Sequence, residues 1–468
     1  MKPKDALLER WEAIVARKGD APAVFNTRGG VERTFREIDK RARDFESKID
    51  IFGAGSVIAV QIGNHQNWPS IWITCLRRGV VALPLEQSIS DQQRDAALKI
   101  CRVSGVVAAA LTGGRNIKVL PMRTSAATTN WGKNRPALLK LTSGTTAAPR
   151  AIRFRSEQLL TDCDQICDTM DISDADLNFG VIPVSHSYGF SNLLTPLIAR
   201  GVAMVLSQDR TPRAVLEDIA KTNATVFPGT PVFYQAFCEM KNTTPTTKLR
   251  LCISAGAPLP IGVATKFREK FGLPIHSFYG ASECGGICYD REAASDSEGF
   301  VGAPMKDVDL EMVDPSAEAS QVRVRSTAAG DGYFPEPDEG KLGDGVFVPD
   351  DLLARRASGF KIVGRVSDVI NVAGKKVNPA EIEEQLLRFP GVRQAVAFGR
   401  PAGAGLRNEE VAACVVVDVD LRENEILEFC RKALSAWQVP KRIFIVDSIP
   451  ANERGKISRR ELARRFSK

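Results

Sequence analysis

Three histidines in 468 residues, and ten cysteines with no CxxC pair among them, leave little from which a zinc site could be built. A chain this long buries a core unaided, so a disulfide framework is not expected either. Aromatic residues are sparse at 7%, and none alternate with basic clusters as nucleic-acid-binding modules require. No apolar run approaches the roughly 18 residues that span a membrane. The opening stretch, MKPKDALLERWEAIVARKG, reads as a charged amphipathic helix and lacks the apolar core of a secretory signal. These absences predict a soluble, cytoplasmic protein with no structural metal, nucleic-acid partner or membrane span.

What is present is ordinary globular composition, 44% hydrophobic and 25% charged, at a length that implies two or three domains. The net charge of +7, with many Lys and Arg near the end of the chain, suits anionic ligands such as nucleotides or CoA, or an acidic carrier protein. From Ala21 to about Pro136, short β runs at Ala21–Phe25, Val57–Ile62 and Val80–Leu85 alternate with helices. Thr34 with Glu37 opens one helix, Trp68–Arg78 forms another, and Ser90 opens a third. That rhythm predicts a largely parallel sheet with helical crossovers. Cys163 and Cys167 share a helix face with Leu159, Leu160, Ile166 and Met170, which makes them core residues and not ligands. From about residue 366 the pattern becomes that of a small α+β domain. Short strands flank Ala373-Gly374-Lys375, and Asn378-Pro379 with Glu381 opens a helix. Strands follow at Val392–Phe398 and Val411–Val419, then a helix over Glu425–Trp437 and a last one capped by Ser458 with Glu461.

The most chemical stretch is LLKLTSGTTAAPRAIRF, Leu138 to Phe154. Its apolar strand ends in Thr142, Ser143, Gly144, Thr145, Thr146 and Ala147. So little side-chain bulk lets backbone N–H groups close around an anion, with hydroxyls adding donors and Arg150 and Arg153 adding charge. A polar turn between two strands is the plain alternative. The P-loop of nucleoside triphosphatases is excluded, because GxxxxGK[ST] needs a Lys-Ser or Lys-Thr pair that does not follow. Downstream, Val181 to Phe190 carries His186, Tyr188 and Phe190 to a strand exit. Leu251 to Pro260 ends a buried strand in Ala255, Gly256, Ala257 and Pro258, small residues against which a flat ring can lie. Ser277 to Gly286, SFYGASECGG, sets Glu283 on a glycine-rich turn, and Phe347 to Leu353 holds the adjacent Asp350 and Asp351. Ile362-Val-Gly ends in Arg365, and the basic tail carries Lys456 in NERGKISRREL.

In this order the motifs resemble the signatures of the adenylate-forming superfamily, which holds acyl- and aryl-CoA synthetases, peptide-synthetase adenylation domains and luciferases. TSGTT with Pro149 resembles YTSGTTGxPKG, with Ala147 in place of Gly and Arg150 in place of Lys. Pro183 to Gly189 resembles the PxxHxxG of CoA synthetases, and YGASE resembles YGxTE with Ser282 for Thr. The Asp351 region resembles TGDL, and Arg454 to Arg459 resembles RxGKxxR. Almost the whole chain is covered.

The resemblance implies an α/β protein with a large multi-subdomain N-terminal region of parallel-rich sheets, residues 1–365. A small mobile α+β C-terminal domain, residues 366–468, carries the catalytic Lys. ATP and Mg²⁺ are the implied cofactors, with CoA as the expected thiol. Thr142, Ser143, Gly144, Thr145 and Thr146 would hold the leaving pyrophosphate, while Gly256, Ala257 and Pro258 flank the adenine. Tyr279 would stack on that ring beside Gly280, Ser282 would bond the α-phosphate, and Glu283 would carry the metal. Asp351, with Asp350 as its adjacent competitor, and Arg365 would meet the ribose. His186, Tyr188, Ala281 and Gly286 would contact the acid, Ser367 would be the hinge, and Gly374 would lie in the thiol-acceptor region. Lys456 would bridge carboxylate and α-phosphate. His186 stands where amino-acid-activating domains carry an Asp, so an ammonium group would meet no counter-charge. Fatty or aryl acids are therefore expected, converted to acyl-AMP and then to a thioester. The rival expectations are an acyl-AMP ligase loading a carrier protein, a β-lactone-forming or other non-thioester member, and a non-catalytic scaffold suggested by Ala147, Ala148 and Arg150.

Overall fold

Capping chemistry starts the helices where the residues place it. Thr34 accepts from the Glu37 N–H while Glu37 accepts from the Thr34 N–H, a reciprocal pair that opens helix Phe35–Glu46. Ser90 opens Asp91–Ile100 with a single bond, its hydroxyl accepting from the Gln93 N–H. Helix Trp68–Arg78 stops at Gly79, whose φ of 64° is a left-handed conformation open to glycine at little cost. The structure, a computed structural model, describes residues 5–109, 117–122, 129–142, 150–241, 248–294, 297–372, 375–401, 409–450 and 457–466; for Ser367 and Lys376 it describes the backbone alone.

The chain forms two compact units. The larger comprises Met1–Glu311 with Arg323–Val348, and the smaller Met312–Val322 with Pro349–Lys468. Two large sheets build most of the larger unit. In one, strands run in the order Tyr333–Phe334, Ala151–Phe154, Leu138–Leu141, Val81–Pro84, Val57–Gln61, Val103–Ala109, Ile117–Pro121. Its centre is parallel and its edges antiparallel. The other runs parallel from Pro22–Phe25 through Ala203–Leu206, Leu177–Gly180, Val226–Gly229 and Leu251–Ser254 to Ile275–Ala281. It then turns antiparallel at Gly285–Tyr289 and Phe300–Pro304. Strands buried on both faces need continuous apolar runs, and VIAVQ, VALP and LCIS supply them.

The expected strand through His186 ends sooner, at Gly180. Asn64 explains the change of direction. Its amide donates to the carbonyls of Gly180, Ile182 and Ser207, and its oxygen accepts from the Val184 N–H. Pro183, which has no N–H to give a ladder, sits inside that bend. The chain then coils into Ser187–Gly189 and a π-helical turn, Phe190–Leu194.

In the smaller unit, strand Val392–Pro401 pairs antiparallel with Glu409–Val417, which pairs parallel with Arg442–Ile445. The two-residue alternation sends Ala397, Val411, Ala413 and Val415 to one face, against helices Pro379–Leu387 and Glu423–Ala433. It sends Val396, Phe398, Ala412, Cys414 and Val416 to the other, against Leu462 of helix Arg459–Arg465. Asn378 caps its helix through the Ala380 N–H, but Glu381 accepts from the Gln438 amide and does not close a capping box. Compactness joins residues 349–365 to this unit. The boundary expected at residue 365 concerns a pivot, which compactness does not test.

The core of the second sheet is an aromatic cluster. Phe227 lies within 5.6 to 6.2 Å of Phe179, Tyr234 and Phe237, ring centre to ring centre, and is fully buried. Phe227→Ala should therefore cost about 3–5 kcal/mol through lost burial and the cavity left behind. The check is the midpoint of the urea transition followed by near-UV circular dichroism, which should fall clearly below wild type.

Candidate functional site: an anion loop and a buried carboxylate

The base of the hydroxyl-rich loop is described, and its tip, Ser143–Pro149, lies outside the described residues. At that base the Thr142 N–H and hydroxyl both donate to the Arg150 carbonyl, at 2.9 and 3.1 Å. Arg150 then lays its guanidinium on the Tyr333 ring, 4.1 Å from the centroid, and reaches Asp338 at 3.5 Å. The Tyr333 hydroxyl donates to Glu283 Oε1 at 3.1 Å. The cation at the loop exit is thus wired to the carboxylate through one phenol. Tyr333 was not expected from the sequence; it follows a Gly-Asp-Gly run, next to Phe334, with no motif to mark it.

Glu283 sits on the turn between antiparallel strands Ile275–Ala281 and Gly285–Tyr289. Burial pushes its carboxyl above the ordinary value, with Tyr333, Lys341 and Arg150 pulling the other way. A carboxylate whose charge is penalised by burial fits a site for a divalent cation that would restore it. Among the described residues no group of three or more His, Cys, Asp or Glu could hold a metal alone. Mg²⁺ is compatible with that, since it takes one or two carboxylates and completes its shell with water and phosphate oxygens.

Neighbouring side chains complete the larger unit's share. Ser187 donates to the Ser282 hydroxyl at 2.9 Å, which brings the His186 segment to the Glu283 turn. His186 caps its own short helix, Nδ1 accepting from the Tyr188 N–H. Tyr188 donates to the Ile253 carbonyl at 3.4 Å and its ring lies 5.8 Å from Phe278. Burial first, then the Tyr289 phenol, drives its own hydroxyl pKa upward. Gly256, Ala257 and Pro258 form an exposed shelf, and a Cβ on Gly256 would meet nothing within 4 Å. That is room for a flat ring. Tyr279 is buried at a register shift in its hairpin, next to Gly280, where an added Cβ would come 2.7 Å from the Gly285 carbonyl. Ala281 ends the same strand, and Gly286, second in the next, lies against Met305.

Beneath the turn lies a polar network that the sequence did not announce. Lys140, buried in strand Leu138–Leu141, reaches Ser191 Oγ at 3.4 Å. Ser191 donates to Asp162 Oδ2 at 2.6 Å, and Asp162 Oδ1 accepts from the Gly286 N–H at 3.0 Å. Burial lowers the lysine's pKa, opposed by Asp162, Cys284 and Glu283. The only signal available was a Lys inside an apolar strand.

The remaining expected residues belong to the smaller unit or lie outside the described residues. Asp351 is buried and takes Arg365 Nε at 2.6 Å across a two-stranded ladder, while the half-exposed Asp350 gives its carbonyl to the Val366 N–H. Ser367 is in a 3₁₀ turn, Val366–Asp368. Gly374 and Lys456 fall outside the described residues.

The ten cysteines are free, and burial raises the Cys284 thiol well above its usual range, so this thiol beside Glu283 is not an activated nucleophile. The chemistry on offer is charge placement around an anion, which is how adenylate-forming enzymes work. Comparison with known proteins agrees. Residues 11–334 match the AMP-binding enzyme family and residues 381–456 its C-terminal domain. The chain belongs to that family, in its acyl-/aryl-CoA synthetase type. Feruloyl-CoA synthase of Amycolatopsis sp is 27% identical over 94% of this chain and 95% of its own. The 3,4-dihydroxybenzoate–[aryl-carrier protein] ligase of Bacillus anthracis is 29% identical over 71% and 75%. ATP-bound MatB from Rhodopseudomonas palustris shares the fold, with a TM-score of 0.85 at 21% identity over 98% of both chains. No described helix is long and apolar enough to cross a membrane.

Gly285 tests the network. Its φ of 74° is left-handed, and a Cβ there would collide with Asp162 Oδ1. Gly285→Ala should therefore disrupt the Asp162–Gly286 bond and destabilise the protein by about 1–3 kcal/mol. Thermal unfolding should register the loss, and ATP binding measured by calorimetry should weaken with it.

Proposed function

We propose that this protein activates a fatty or aryl carboxylic acid with Mg·ATP and transfers the acyl group to CoA in the cytoplasm. In the first step a carboxylate oxygen attacks the α-phosphorus, forming acyl-AMP and releasing pyrophosphate. In the second a thiolate attacks the acyl carbon, the C–O bond to phosphate breaks, and AMP leaves. The observation that carries this reading is the Arg150–Tyr333–Glu283 chain at the base of the anion loop. A cation and a carboxylate joined through one phenol are groups that a polyphosphate and its metal would use, which supports the reading.

The roles divide by chemistry. Thr142 and the loop through Thr146 hold the pyrophosphate oxygens as charge moves onto them. Ser282 donates to the α-phosphate, and Glu283 holds the Mg²⁺ that offsets phosphate charge when bound. The Gly256–Pro258 shelf and Tyr279 take the adenine, with Gly280 giving it backbone clearance. Asp351 accepts the ribose hydroxyls, oriented by Arg365. His186, Tyr188, Ala281 and Gly286 border the acid, and an imidazole whose Nδ1 accepts the Tyr188 N–H offers an ammonium no carboxylate. Lys456 neutralises the carboxylate and α-phosphate oxygens as they approach. The domain boundary at residue 365 marks a pivot at Ser367, which turns residues 366–468 between steps so that the Lys456 segment serves adenylation and the Gly374 hairpin serves the thiol. A carrier-protein phosphopantetheine is the second reading for the acceptor, favoured by the chain's +7 charge against an acidic carrier.

Pyrophosphate release should appear with fatty or aryl acids and not with amino acids, whose buried ammonium would cost several kcal/mol. Turnover of an amino acid with both other classes inert defeats the substrate assignment. Free AMP production with CoA, against that with an acyl-carrier protein, decides the acceptor. Lys456→Ala should slow acyl-AMP formation roughly 100- to 1000-fold, the worth of one aligned charge on the transition state. Conversion of supplied acyl-AMP to thioester should survive in that variant.

Tyr333→Phe keeps the ring under Arg150 and removes the hydroxyl that Glu283 accepts from. The Mg²⁺ concentration for half-maximal pyrophosphate release should rise several-fold, while the thermal midpoint stays near wild type. An unchanged Mg²⁺ requirement would detach Tyr333 from the metal site.

A further inference from the structure

The smaller unit contains one ion cluster that the proposed reaction does not use. Arg459, the first residue of the last helix, donates from Nη1 to Asp368 Oδ2 at 2.6 Å. Its Nη2 spans both oxygens of Glu383 at 2.8 and 2.9 Å, and its Nε reaches the Ala397 carbonyl at 3.0 Å. Three elements within residues 366–401 meet on a guanidinium far along the chain from them: the 3₁₀ turn Val366–Asp368, helix Pro379–Leu387 and strand Val392–Pro401. The cluster is half-buried, with side-chain exposures of 27%, 25% and 16% for Arg459, Asp368 and Glu383. Burial raises the Glu383 carboxyl, and Arg459 is the first group opposing that.

We propose that Arg459 is a positioning residue for adenylation, tying the Lys456 segment to the turn about which this unit pivots. The inference rests on the two-step reading above. The thiol-side hairpin, Ile370–Val372 with Lys375–Val377, begins two residues after Asp368 and follows the pivot through the chain itself. Lys456 lies far from that turn along the chain. It precedes Arg459 by three positions, and Arg459 and Asp368 are 91 positions apart. The guanidinium is the ionic tie that closes this gap among the described residues. Folding does not hang on it, because Leu462 anchors the same helix in an apolar cluster with Phe398 and Phe444. Loss of Arg459 therefore leaves the helix docked and frees its angle relative to the turn, which adenylation requires and thioester formation does not.

The test measures both half-reactions in Arg459→Met, Arg459→Lys, Asp368→Asn and the Met/Asn double variant, with Lys456→Ala alongside. In Arg459→Met, kcat for acyl-AMP formation should fall about tenfold or more, KM for ATP should stay within about twofold, and thioester formation from supplied acyl-AMP should persist. Arg459→Lys should recover part of the loss, since an ammonium reaches one carboxylate but not three acceptors. The double variant should be no slower than the worse single one, as expected of partners in one contact. If Arg459→Met does not fold, Asp368→Asn with its intact arginine carries the same prediction. Parallel loss in both half-reactions, additive effects, or unimpaired adenylation would each overturn the inference. Adenylation that survives Lys456→Ala would instead overturn the underlying assignment of the lysine, whatever Arg459 does.

Discussion

A buried lysine and a buried aspartate, joined through one serine, hold the larger unit's working parts in place. Lys140 belongs to the sheet that launches the anion loop, Asp162 to the helix after it, Ser191 to the π-helical turn, and Gly286 to the other sheet. The network therefore crosses both sheets at the level of the Glu283 turn. Polar groups in an apolar interior are tolerated only when each is answered, and leaving one unsatisfied costs about 1–3 kcal/mol. That penalty fixes the register of the hairpin to the loop more strictly than apolar packing could, because a hydrogen bond has a direction and a methyl contact does not.

From this foundation the site uses polarity sparingly. Glu283 accepts from one phenol, the phenol is covered by one guanidinium, and that guanidinium belongs to Arg150, where the loop ends. An Arg suits this place as a Lys would not, since its planar group can stack on Tyr333 and still reach Asp338. The departure from the family's usual Lys is thus matched by a local aromatic partner. It weighs against the view that Ala147, Ala148 and Arg150 mark a scaffold without chemistry.

In the smaller unit the three-stranded sheet is packed on one face by helices Pro379–Leu387 and Glu423–Ala433 and on the other by helix Arg459–Arg465. Polar bonds appear mainly where the sheet meets its ends: Arg400 with Glu410, Arg442 with Glu423, and Arg459 with its three acceptors. Exposed pairs such as Arg388–Glu384 add little to stability, and the half-buried Arg459 cluster differs from them in joining three elements at once.

The sequence by itself determined the element types, most of their limits and the family. Those features depend on local chemistry: caps at Thr34 and Ser90, apolar runs at Val57–Gln61 and Leu251–Ser254, and glycine- or hydroxyl-rich turns with fixed spacing. The sequence singled out Glu283 by the resemblance of its turn to YGxTE, a pattern short enough to be read locally. It did not reveal that the strand before His186 stops at Gly180, since the cause is Asn64 on a distant strand exit. Nor did it reveal Tyr333, Lys140, Asp162 or Arg459 as parts of connected networks. Each is an ordinary residue in its own segment, and its role arises from partners tens to hundreds of positions away. Only folding brings those partners within 3 Å or so of one another, and only burial makes their charges matter.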